Sequence, residues 1–582
     1  MTIEEQARQI YARYIIGSDH KKNNYFQAIS ELVSLRRRAN DPAIVQERID
    51  AVYDLLRDEI LTNTDPPLSP VKFGTSGWRG LLGKDLNILS VARVTAAIIG
   101  LYREAEEDAE MRQALGVHDF AEMRQRGCVI GFDNRFGGEL LALAAANVLA
   151  ANGIRILYAG EATTGILSAS VLVRKAAFSI NLTPSHNPLE YGGYKFNAAD
   201  AGPAAPILTN QITMQARRII EQGGSRYLPE DIDLQRPLSE LAGVEQEDAL
   251  ASWQQLIRSN RELHGLDYDR LLADLRTATD VVVGVDAVHG ASRDYIRPLL
   301  ADPPPERLFV LRDNPDVTFG GIGPEPSSAN MQPVMAALRD RAEPLKIGAI
   351  IDPDGDRIRF TDGTTEISMN QFGAMAYHFL HEHLGRKGMV AKTVASSNLA
   401  NALAKALGEE VFEPRVGFKE FKPVIGKALV YFEESDGISI IGHTPEKDAF
   451  IGLVLALAMV MTLKKNLGDY LAEIEATYGA YYPDRDGVVV SQQGEELKST
   501  LARLEKYAAG ATVKVGGREK TIAEVIAIDG RKMLFEDGSW LMIRPSGTEP
   551  KVRFYVEARS REETALLVET AKSMLAEIGL LS

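Results

Sequence analysis

The chain has 582 residues, of which 45% are apolar and 25% are charged, a composition that is ordinary for a globular protein. It is too long for a single core, so we expect about four domains. The formal net charge of −15 argues against a general nucleic-acid binder, which needs a basic surface. It does not exclude an anionic substrate, since a local cluster of arginine and lysine can reverse the field inside a cleft.

The sequence has few of the features that mark disulfide-bonded, exported or membrane-spanning proteins. Cys128 is the only cysteine, so neither an internal disulfide nor a cysteine-based metal site can form, and its apolar neighbours indicate a buried structural thiol. The first residues do not show the basic segment followed by an apolar segment that is typical of a signal peptide, so we expect none. The most apolar run, residues 449–463, is too short to cross a bilayer and predicts a buried helix. We expect a cytoplasmic protein with no membrane partner.

The first 66 residues predict an N-terminal helical extension. Apolar side chains recur at helical spacing, for example at Ile3, Ala7 and Ile10. No catalytic pattern occurs here, so we expect these helices to pack as a collar on the first domain, where they are candidates for oligomer contacts. A proline-rich linker, residues 65–70, follows. Beyond it, residues 128–158 read as strand, helix and strand, which indicates an α/β domain with a largely parallel sheet.

A loop with a serine between proline and histidine stands out. Residues 176–182 predict a buried strand, so Ser185 lies on the loop beyond its end. Pro184 and Pro188 restrict the backbone on both sides. A rigid loop that presents one hydroxyl is typical of a nucleophile or a phosphate carrier. For this loop alone, an ordinary surface serine in a proline-rich turn is an equal alternative.

Three aspartates predict a metal site. Asp352, Asp354 and Asp356 follow an apolar strand, residues 345–351, and three carboxylates so close together cannot all ionise cheaply without a cation. Oxygen ligands favour Mg²⁺ over Zn²⁺. An EF-hand is excluded, because its twelfth position is Gly363 where a glutamate is needed. A solvated acidic turn is disfavoured by the apolar strand before it.

Two later loops carry groups suited to a phosphorylated sugar. The segment 433–437, Glu-Glu-Ser-Asp-Gly, offers carboxylates that can accept hydrogen bonds from sugar hydroxyls, although by itself it is best explained as a solvated acidic turn. Arg544, Ser546 and Thr548, with the backbone around Gly547, form a donor-rich segment in which arginine presents a planar fork to phosphate.

These four loops, taken in order, resemble the α-D-phosphohexomutase superfamily of phosphoglucomutases and phosphomannomutases, over roughly residues 70 to 582. The resemblance implies three related α/β domains and a smaller C-terminal α+β domain, preceded by the helical extension. The predicted boundaries are 1–66 for the extension, 67–242 for the domain with the serine loop, 243–365 for the metal loop, 366–475 for the sugar-specificity loop and 476–582 for the phosphate-binding loop.

The resemblance also assigns catalytic roles. Ser185 carries a phosphate and, through its oxygen or that phosphate, completes the metal site. Arg79, in a glycine-rich segment, contacts the reacting phosphoryl group. His186 and Lys195 are candidates for proton transfer, and glycines before Lys195 would let a flexible side chain reach back to the serine. The usual Asn-Gly there is Gly192-Gly193, a mild departure from the family pattern.

Other residues are assigned to structure or substrate. Asp133 and Arg135 match a family pattern and are expected to be structural, as is His289. The resemblance places Lys419 in the substrate cleft, and Arg357 follows the aspartates where it can bind substrate or phosphate. The predicted sugar-binding residues are Glu433 and Ser435, and the predicted phosphate-binding residues are Arg544, Ser546, Gly547 and Thr548. Asp436 occupies a position that is often small in the family, which leaves the preferred sugar open.

The implied reaction interconverts hexose 1-phosphate and hexose 6-phosphate through a phosphoserine and a bisphosphorylated intermediate. It implies Mg²⁺ as cofactor, hexose 1,6-bisphosphate as activator, sugar phosphates as the only partners, and a monomer or homodimer. Phosphoglucomutase is the expected activity. The alternatives are a phosphomannomutase or dual-specificity hexomutase, and a non-catalytic sugar-phosphate-binding regulator. A metal-dependent phosphatase would more naturally use an aspartate as nucleophile, and motifs of kinases, dehydrogenases and α/β-hydrolases are missing from the sequence.

Overall fold

The computed structural model describes residues 1–17, 19–74, 77–546 and 551–581. The predicted helical extension is confirmed as α1 (Ile3–Tyr14), α2 (Tyr25–Arg36) and α3 (Ala43–Thr62), with a 3₁₀ turn at His20–Lys22. Their apolar side chains are buried in one continuous core with those of the first α/β domain. The extension is therefore part of that domain's core and not a separately folded unit.

The first α/β domain is built on a mixed sheet with strand order β1-β5-β4-β2-β3-β6. The strands are β1 (Trp78–Leu81), β2 (Cys128–Phe132), β3 (Ile156–Glu161), β4 (Phe178–Leu182), β5 (Tyr191–Ala198) and β6 (Val244–Gln246). The central strands are parallel, whereas β1 and β5 are antiparallel to their neighbours. The strand β6 continues this sheet beyond residue 242. Cys128 is buried on β2, as predicted.

Helices cover both faces of this sheet and lead into the next domain. They are α4 (Ile88–Glu104), α5 (Ala109–Leu115), α6 (Phe120–Arg126), α7 (Gly138–Ala151), α8 (Thr164–Arg174), α9 (Pro206–Gln222), α10 (Ala249–Ser259), α11 (Arg261–His264) and α12 (Tyr268–Thr277), with 3₁₀ turns at Ala105–Glu107 and Leu238–Glu240. The alternation of strand and helix confirms the predicted α/β class.

The second α/β domain repeats the arrangement with strand order β11-β10-β9-β7-β8. Its strands are β7 (Val281–Asp286), β8 (Leu308–Leu311), β9 (Leu345–Ile351), β10 (Ile358–Thr361) and β11 (Glu366–Ile367). Its helical segments are α13 (Ile296–Leu299), α14 (Ser328–Arg339) and 3₁₀ turns at Ala291–Asp294 and Phe319–Gly321. The strands β7, β8 and β9 are parallel, and β10 turns back antiparallel to β9.

The third α/β domain has strand order β13-β12-β14-β15. Its strands are β12 (Val390–Lys392), β13 (Val411–Phe412), β14 (Val430–Glu433) and β15 (Gly437–Ile440). Its helices are α15 (Met369–His378), α16 (Leu399–Leu407), α17 (Ala449–Leu463) and α18 (Leu467–Tyr478), with a π-helical segment at Phe379–His383 and a 3₁₀ helix at Phe418–Val424. Nearly all of α17 is buried, as predicted.

The C-terminal domain is an antiparallel sheet with strand order β16-β21-β20-β19-β18-β17. Its strands are β16 (Tyr482–Val489), β17 (Thr512–Val515), β18 (Arg518–Ile526), β19 (Arg531–Phe535), β20 (Trp540–Pro545) and β21 (Lys551–Ala558). Its helices are α19 (Gly494–Ala502) and α20 (Arg561–Glu577), with a 3₁₀ turn at Arg503–Lys506. This confirms the predicted α+β class of the last domain.

Among the described helices, none is long and apolar enough to span a membrane alone, and only α17 and α18 together, bent by 77°, meet the length and composition for it.

Each predicted site loop is the connection of an antiparallel hairpin. The serine loop joins β4 to β5, the aspartate loop joins β9 to β10, the sugar loop joins β14 to β15, and the phosphate loop joins β20 to β21. In the three α/β domains the first strand of the hairpin belongs to the parallel part of the sheet. Since a short connection keeps a loop close to both strands, the serine, aspartate and sugar loops each lie at the carboxyl end of a parallel strand.

A buried cluster of charges fastens the C-terminal domain to the third domain. Lys532 on β19 donates to the carbonyl of Val394 at 2.8 Å and lies 3.1 Å from a carboxylate oxygen of Glu413. The other oxygen of Glu413 lies 3.1 Å from Lys392, which is fully buried. Burial and the neighbouring Lys392 lower the pKa of Lys532 to about 8. The two lysines thus share the carboxylate of Glu413.

We expect Glu413→Gln to lower the free energy of unfolding by about 3 kcal/mol, because it removes the carboxylate that both buried lysines contact. Since the pKa of Lys532 is about 8, this lysine can release its proton and become neutral in the variant, which limits the loss of stability to about 3 kcal/mol. The measurement is the thermal unfolding midpoint of the variant beside that of Glu410→Gln, an exposed glutamate in the same domain. Equal midpoints for the two variants would show that the cluster does not stabilise the interface.

The same carboxylate predicts a pH dependence. Burial opposes its ionisation, but Lys392 and Lys532 outweigh burial and lower the pKa of Glu413 from 4.5 to about 2. A carboxyl whose pKa is lowered in the folded state stabilises the fold above its unfolded pKa, so this contribution is lost as the pH falls from about 4.5 to about 2. The loss should be absent from Glu413→Gln when unfolding is followed across that range.

Candidate active site

Described residues of all four hairpins line one cleft of about 770 Å³. The predicted site residues in its lining are Arg79, His186, Arg357, Glu433, Ser435, Arg544 and Ser546. Ser185, Lys195 and the three aspartates are buried immediately beside them. Gly547 and Thr548, which were predicted to bind phosphate, lie outside the described residues. Segments far apart in sequence therefore meet, as the resemblance implies.

The serine loop is held in an unusual backbone conformation. Ser185 has a φ of 61°, which a non-glycine residue rarely adopts and which is often associated with function. Its amide donates to Thr183 Oγ1 at 2.9 Å, and that hydroxyl donates to Asp133 Oδ2 at 2.6 Å. The Ser185 hydroxyl is thereby directed at the next domain, where it donates to Asp352 Oδ2 at 3.0 Å.

Arg135 holds the same loop from its other side. Its guanidinium donates to the carbonyl oxygens of Ser185 and Pro188, each at 2.9 Å, and to that of Asn187. It also lies over the ring of Phe319, 5.0 Å from the centroid. The hydrogen bonds hold the backbone of the serine loop, which supports the structural role predicted for this arginine.

Lys195 reaches the site from a strand and not from a flexible segment. It lies on β5 opposite Asn181 of β4, while Gly193 lies opposite Arg79 of β1. A Cβ on Gly193 would lie 2.2 Å from the carbonyl oxygen of Thr183, so only glycine allows the serine loop to pack against β5. The glycines therefore permit close packing rather than flexibility, and Arg79 likewise lies on a strand rather than in a glycine-rich loop.

The aspartate loop has the properties of a cation site. One carboxylate oxygen from each of Asp352, Asp354 and Asp356 lies within 4.8 Å of the others, and all three residues are buried. Within the described residues, the Oδ1 atoms of Asp354 and Asp356 are buried without a hydrogen-bond partner. Buried carboxylate oxygens without a donor are costly unless a cation binds them, so this loop fits a metal ion.

Two helix N-termini from the flanking domains hold this loop. The amide of Thr164, at the start of α8, donates to the carbonyl of Asp354 at 2.7 Å, and its hydroxyl donates to Asp354 Oδ2 at 2.9 Å. The amide of Ala449, at the start of α17, donates to the carbonyl of Gly355 at 3.0 Å. The positive ends of both helices therefore face the acidic loop, which lowers the cost of its negative charge.

Lys195 neutralises part of this negative charge. Its ammonium lies 2.5 Å from Asp354 Oδ2 and 3.0 Å from Asp356 Oδ2. Burial alone would lower the pKa of Lys195, but the two carboxylates outweigh it and raise the pKa. Burial raises the pKa of Asp352, and the charges of Asp356 and Asp354 raise it further. Because Asp354 and Asp356 raise its pKa, Lys195 is protonated at neutral pH.

His186 has the opposite character. Burial lowers its pKa well below the usual value, and the positive charges of Arg357 and Arg79 lower it further. Its Nδ1 lies 3.3 Å from the Ser185 hydroxyl oxygen. A neutral imidazole beside the serine can accept a proton, which a lysine paired with two aspartates cannot do.

The sugar loop presents a carboxylate and a hydroxyl that are already paired. Ser435 Oγ donates to Glu433 Oε1 at 2.7 Å, and Lys447 lies 3.5 Å from that oxygen and 3.3 Å from Asp356. Asp436, the departure from the family pattern, has a φ of 71° and pairs with Arg359 through both oxygens at 3.1 and 2.8 Å. Its carboxylate is therefore occupied within the protein.

The C-terminal domain contributes a basic surface. Arg544 and Arg553 are opposite each other on β20 and β21, and Arg485 follows on β16. All three line the cleft together with Ser546 and Lys551. Arg544 Nε lies 2.9 Å from Asp529, which fixes its position. Although the whole chain has a net charge of −15, positively charged side chains are concentrated at this surface, which suits the binding of a phosphate group.

Several residues in the site were not predicted from the sequence, and one predicted residue, Lys419, belongs neither to the lining nor to the buried cluster beside it. Lys447 precedes the helix cap Asp448, and Arg553 lies in an alternating strand, so neither has a motif that marks it. Val416, Gly417 and Phe418 line the cleft, whereas Lys419 follows them at the start of a 3₁₀ helix and is not part of the lining. Other unpredicted lining residues include Arg485, Glu446 and Lys551.

Comparison with protein families identifies this arrangement. Models described as phosphoglucomutase/phosphomannomutase alpha/beta/alpha domains I, II and III match residues 70–223, 267–365 and 368–478, and the C-terminal domain model matches residues 495–572. The chain belongs to the phosphoglucomutase/phosphomannomutase family. It is therefore an isomerase of the phosphohexomutase type, as predicted.

Individual relatives span nearly the whole chain at low identity. A phosphoglucomutase of Komagataeibacter xylinus is 27% identical over 549 residues, which cover 87% of this chain and 91% of the relative. A phosphoglucomutase/phosphomannomutase of Thermococcus kodakarensis is 25% identical and covers 87% of this chain and 98% of its own. The crystal structure of parafusin, a phosphoglucomutase of Paramecium, has a TM-score of 0.66 at 20% identity and covers 89% and 96% of the two chains, which supports the fold.

Proposed function

We propose that this phosphohexomutase interconverts hexose 1-phosphate and hexose 6-phosphate, with glucose as the preferred sugar, through a phosphorylated Ser185. The observation that carries the proposal is the hydrogen bond of 3.0 Å from the Ser185 hydroxyl to Asp352, in a cleft that also holds the basic surface of the C-terminal domain. One end of the cleft suits phosphoryl transfer, and the other suits a phosphate that does not react.

The aspartate loop is proposed to hold Mg²⁺, with Asp352, Asp354, Asp356 and the oxygen or phosphate of Ser185 as ligands. Hard oxygen donors with buried, unpartnered atoms fit this ion. When bound, Mg²⁺ would neutralise charge on the transferring phosphoryl group, which is the main requirement of such a reaction. Arg79 and Arg357, both in the cleft lining, supply further positive charge there.

The transfer breaks the bond between the Ser185 oxygen and phosphorus and forms a bond between that phosphorus and a sugar hydroxyl oxygen. The hydroxyl proton must go to a base, and the Ser185 oxygen, which leaves phosphorus with the bonding electron pair, takes up a proton in return to become a hydroxyl. We assign that base to His186 rather than Lys195, because the histidine is neutral beside Ser185 while the lysine is protonated and paired with Asp354 and Asp356. The resulting bisphosphorylated sugar turns in the cleft and returns its other phosphate to Ser185.

The sugar is proposed to bind against Glu433 and Ser435, whose mutual hydrogen bond leaves acceptors and a donor for ring hydroxyls. Glucose is preferred on the basis of the Gly-Gly-Tyr-Lys segment at 192–195 and of the phosphoglucomutase relative. Small sugar phosphates are then the partners and hexose 1,6-bisphosphate the activator.

The test compares glucose 1-phosphate and mannose 1-phosphate as substrates, with Mg²⁺ and a trace of hexose 1,6-bisphosphate. Glucose turnover far above mannose turnover would support a phosphoglucomutase. Equal rates would replace it with a dual-specificity hexomutase. No turnover of either sugar, by a protein whose intact mass shows that it accepts a phosphoryl group, would overturn the hexose assignment.

A further inference from the structure

The helix α2 of the N-terminal extension lines the same cleft. Phe26, Ser30 and Ser34 are spaced four residues apart, so they lie on one face of the helix, and all three are in the lining. Ser30 and Ser34 are exposed and Phe26 is half-buried. The family model of the first domain begins only at residue 70, so this wall is an addition to the part that the family shares.

The position of α2 is fixed from two sides. Its neighbouring face, with Ile29 and Leu32 fully buried, packs in the core of the first domain. At its C-terminal end, Arg36 lies 2.9 Å from Asp316 and donates to Thr318 at 3.0 Å. Both partners belong to the second domain.

Contacts of α2 with the following loop are equally close. Arg37, just after the helix, donates to the carbonyl of Gly320 at 2.7 Å. A Cβ on Gly321 would lie 2.5 Å from Val33, and Gly321 has a φ of +72°, so glycine is required where the loop meets the helix. Since residues 321–325 also line the cleft, α2 and this loop form one continuous, rigid wall.

We propose that α2 is part of the substrate-binding surface, and that Phe26, Ser30 and Ser34 contact the sugar phosphate while it is bound and turned. This inference rests on the proposed function. The Ser30 hydroxyl can donate to and accept from sugar hydroxyls, and the Phe26 ring offers an apolar surface to the C–H face of a sugar. The Ser34 hydroxyl donates to the Ser30 carbonyl at 2.9 Å and can accept from a sugar hydroxyl. A fixed wall also helps to keep the bisphosphorylated sugar in the cleft while it turns between its two binding orientations.

The test introduces bulk into the wall. Ser30→Trp and Ser34→Trp place a large ring in the cleft, and Gln27→Trp is the matched control, because Gln27 is also exposed on α2 but is not in the lining. We expect both cleft variants to raise KM for glucose 1-phosphate by about tenfold or more and to weaken its binding in calorimetry to the same extent, with the control within about twofold. Thermal unfolding midpoints should match that of the wild type.

A gentler variant keeps the inference testable if the large side chains impair folding. The double variant Ser30→Ala with Ser34→Ala should raise KM by about twofold to tenfold, which corresponds to the loss of one or two hydrogen bonds. Unchanged KM and unchanged binding in folded variants would overturn the role of α2. A wild type that binds glucose 1-phosphate without turning it over would instead overturn the proposed function, and the calorimetric comparison would still decide the role of α2.

Discussion

Ser185→Ala should lower mutase turnover by at least about 10⁴-fold, because the hydroxyl that would carry the phosphoryl group is removed. Binding of the sugar phosphate should persist, since the cleft lining that would hold it, including Arg544 and Glu433, is unchanged. The measurements are steady-state turnover, calorimetric binding of glucose 1-phosphate, and intact mass after incubation with hexose 1,6-bisphosphate. The wild type should gain one phosphoryl group and the variant none.

The control for this prediction is Ser69→Ala. Ser69 is an exposed serine that also stands next to a proline, but it lies in the linker before the first domain. It should retain both turnover and phosphorylation. If Ser185→Ala kept its activity, or still gained a phosphoryl group on a single site, the phosphoserine would have to be placed elsewhere.

Asp354→Asn should lower turnover by about 100-fold or more and raise the Mg²⁺ concentration for half-maximal rate by about tenfold. The substitution keeps the shape of the side chain but removes a charge from the cluster, and the unpartnered Oδ1 loses its value as a ligand. Lys195 would also lose one of its two carboxylates, at 2.5 Å.

Metal binding can be followed without activity. Mg²⁺ stabilises whichever state binds it, so it should raise the thermal unfolding midpoint of the wild type more than that of Asp354→Asn. The control is Asp340→Asn, an exposed aspartate at the end of α14 in the same domain. An Asp354→Asn variant with the metal response of the wild type would refute the ligand assignment.

The sequence alone determined what each local segment can do. An alternating or continuous apolar run ends in a loop with a distinctive set of polar groups, and both the strand and the loop are encoded within about ten residues. This is why the aspartate loop, the serine loop and the N-terminal helices could be predicted without knowledge of the tertiary structure. The order of the loops was then enough to indicate the family.

Residues without a local motif could not be found in this way. Lys447 and Arg553 resemble ordinary charged side chains in sequence, and their position at the cleft depends on how the third and fourth domains pack. Lys195 was predicted, but for the wrong physical reason, because the pairing of β4 with β5 determines its position rather than glycine flexibility. The pairing of Asp436 with Arg359 likewise joins residues 77 positions apart.

The tertiary structure also decided the role of the N-terminal extension. Its sequence shows only amphipathic helices, which predict burial against another surface but do not say which surface. The structure places one face of α2 in the core and the neighbouring face, with Ser30 and Ser34, at the cleft. A helix encodes its apolar stripe locally, whereas the surface that its polar side chains meet depends on the packing of the domains around it. Most residues of the candidate site could therefore be predicted from sequence motifs. Which other residues line the cleft depends on how the domains pack.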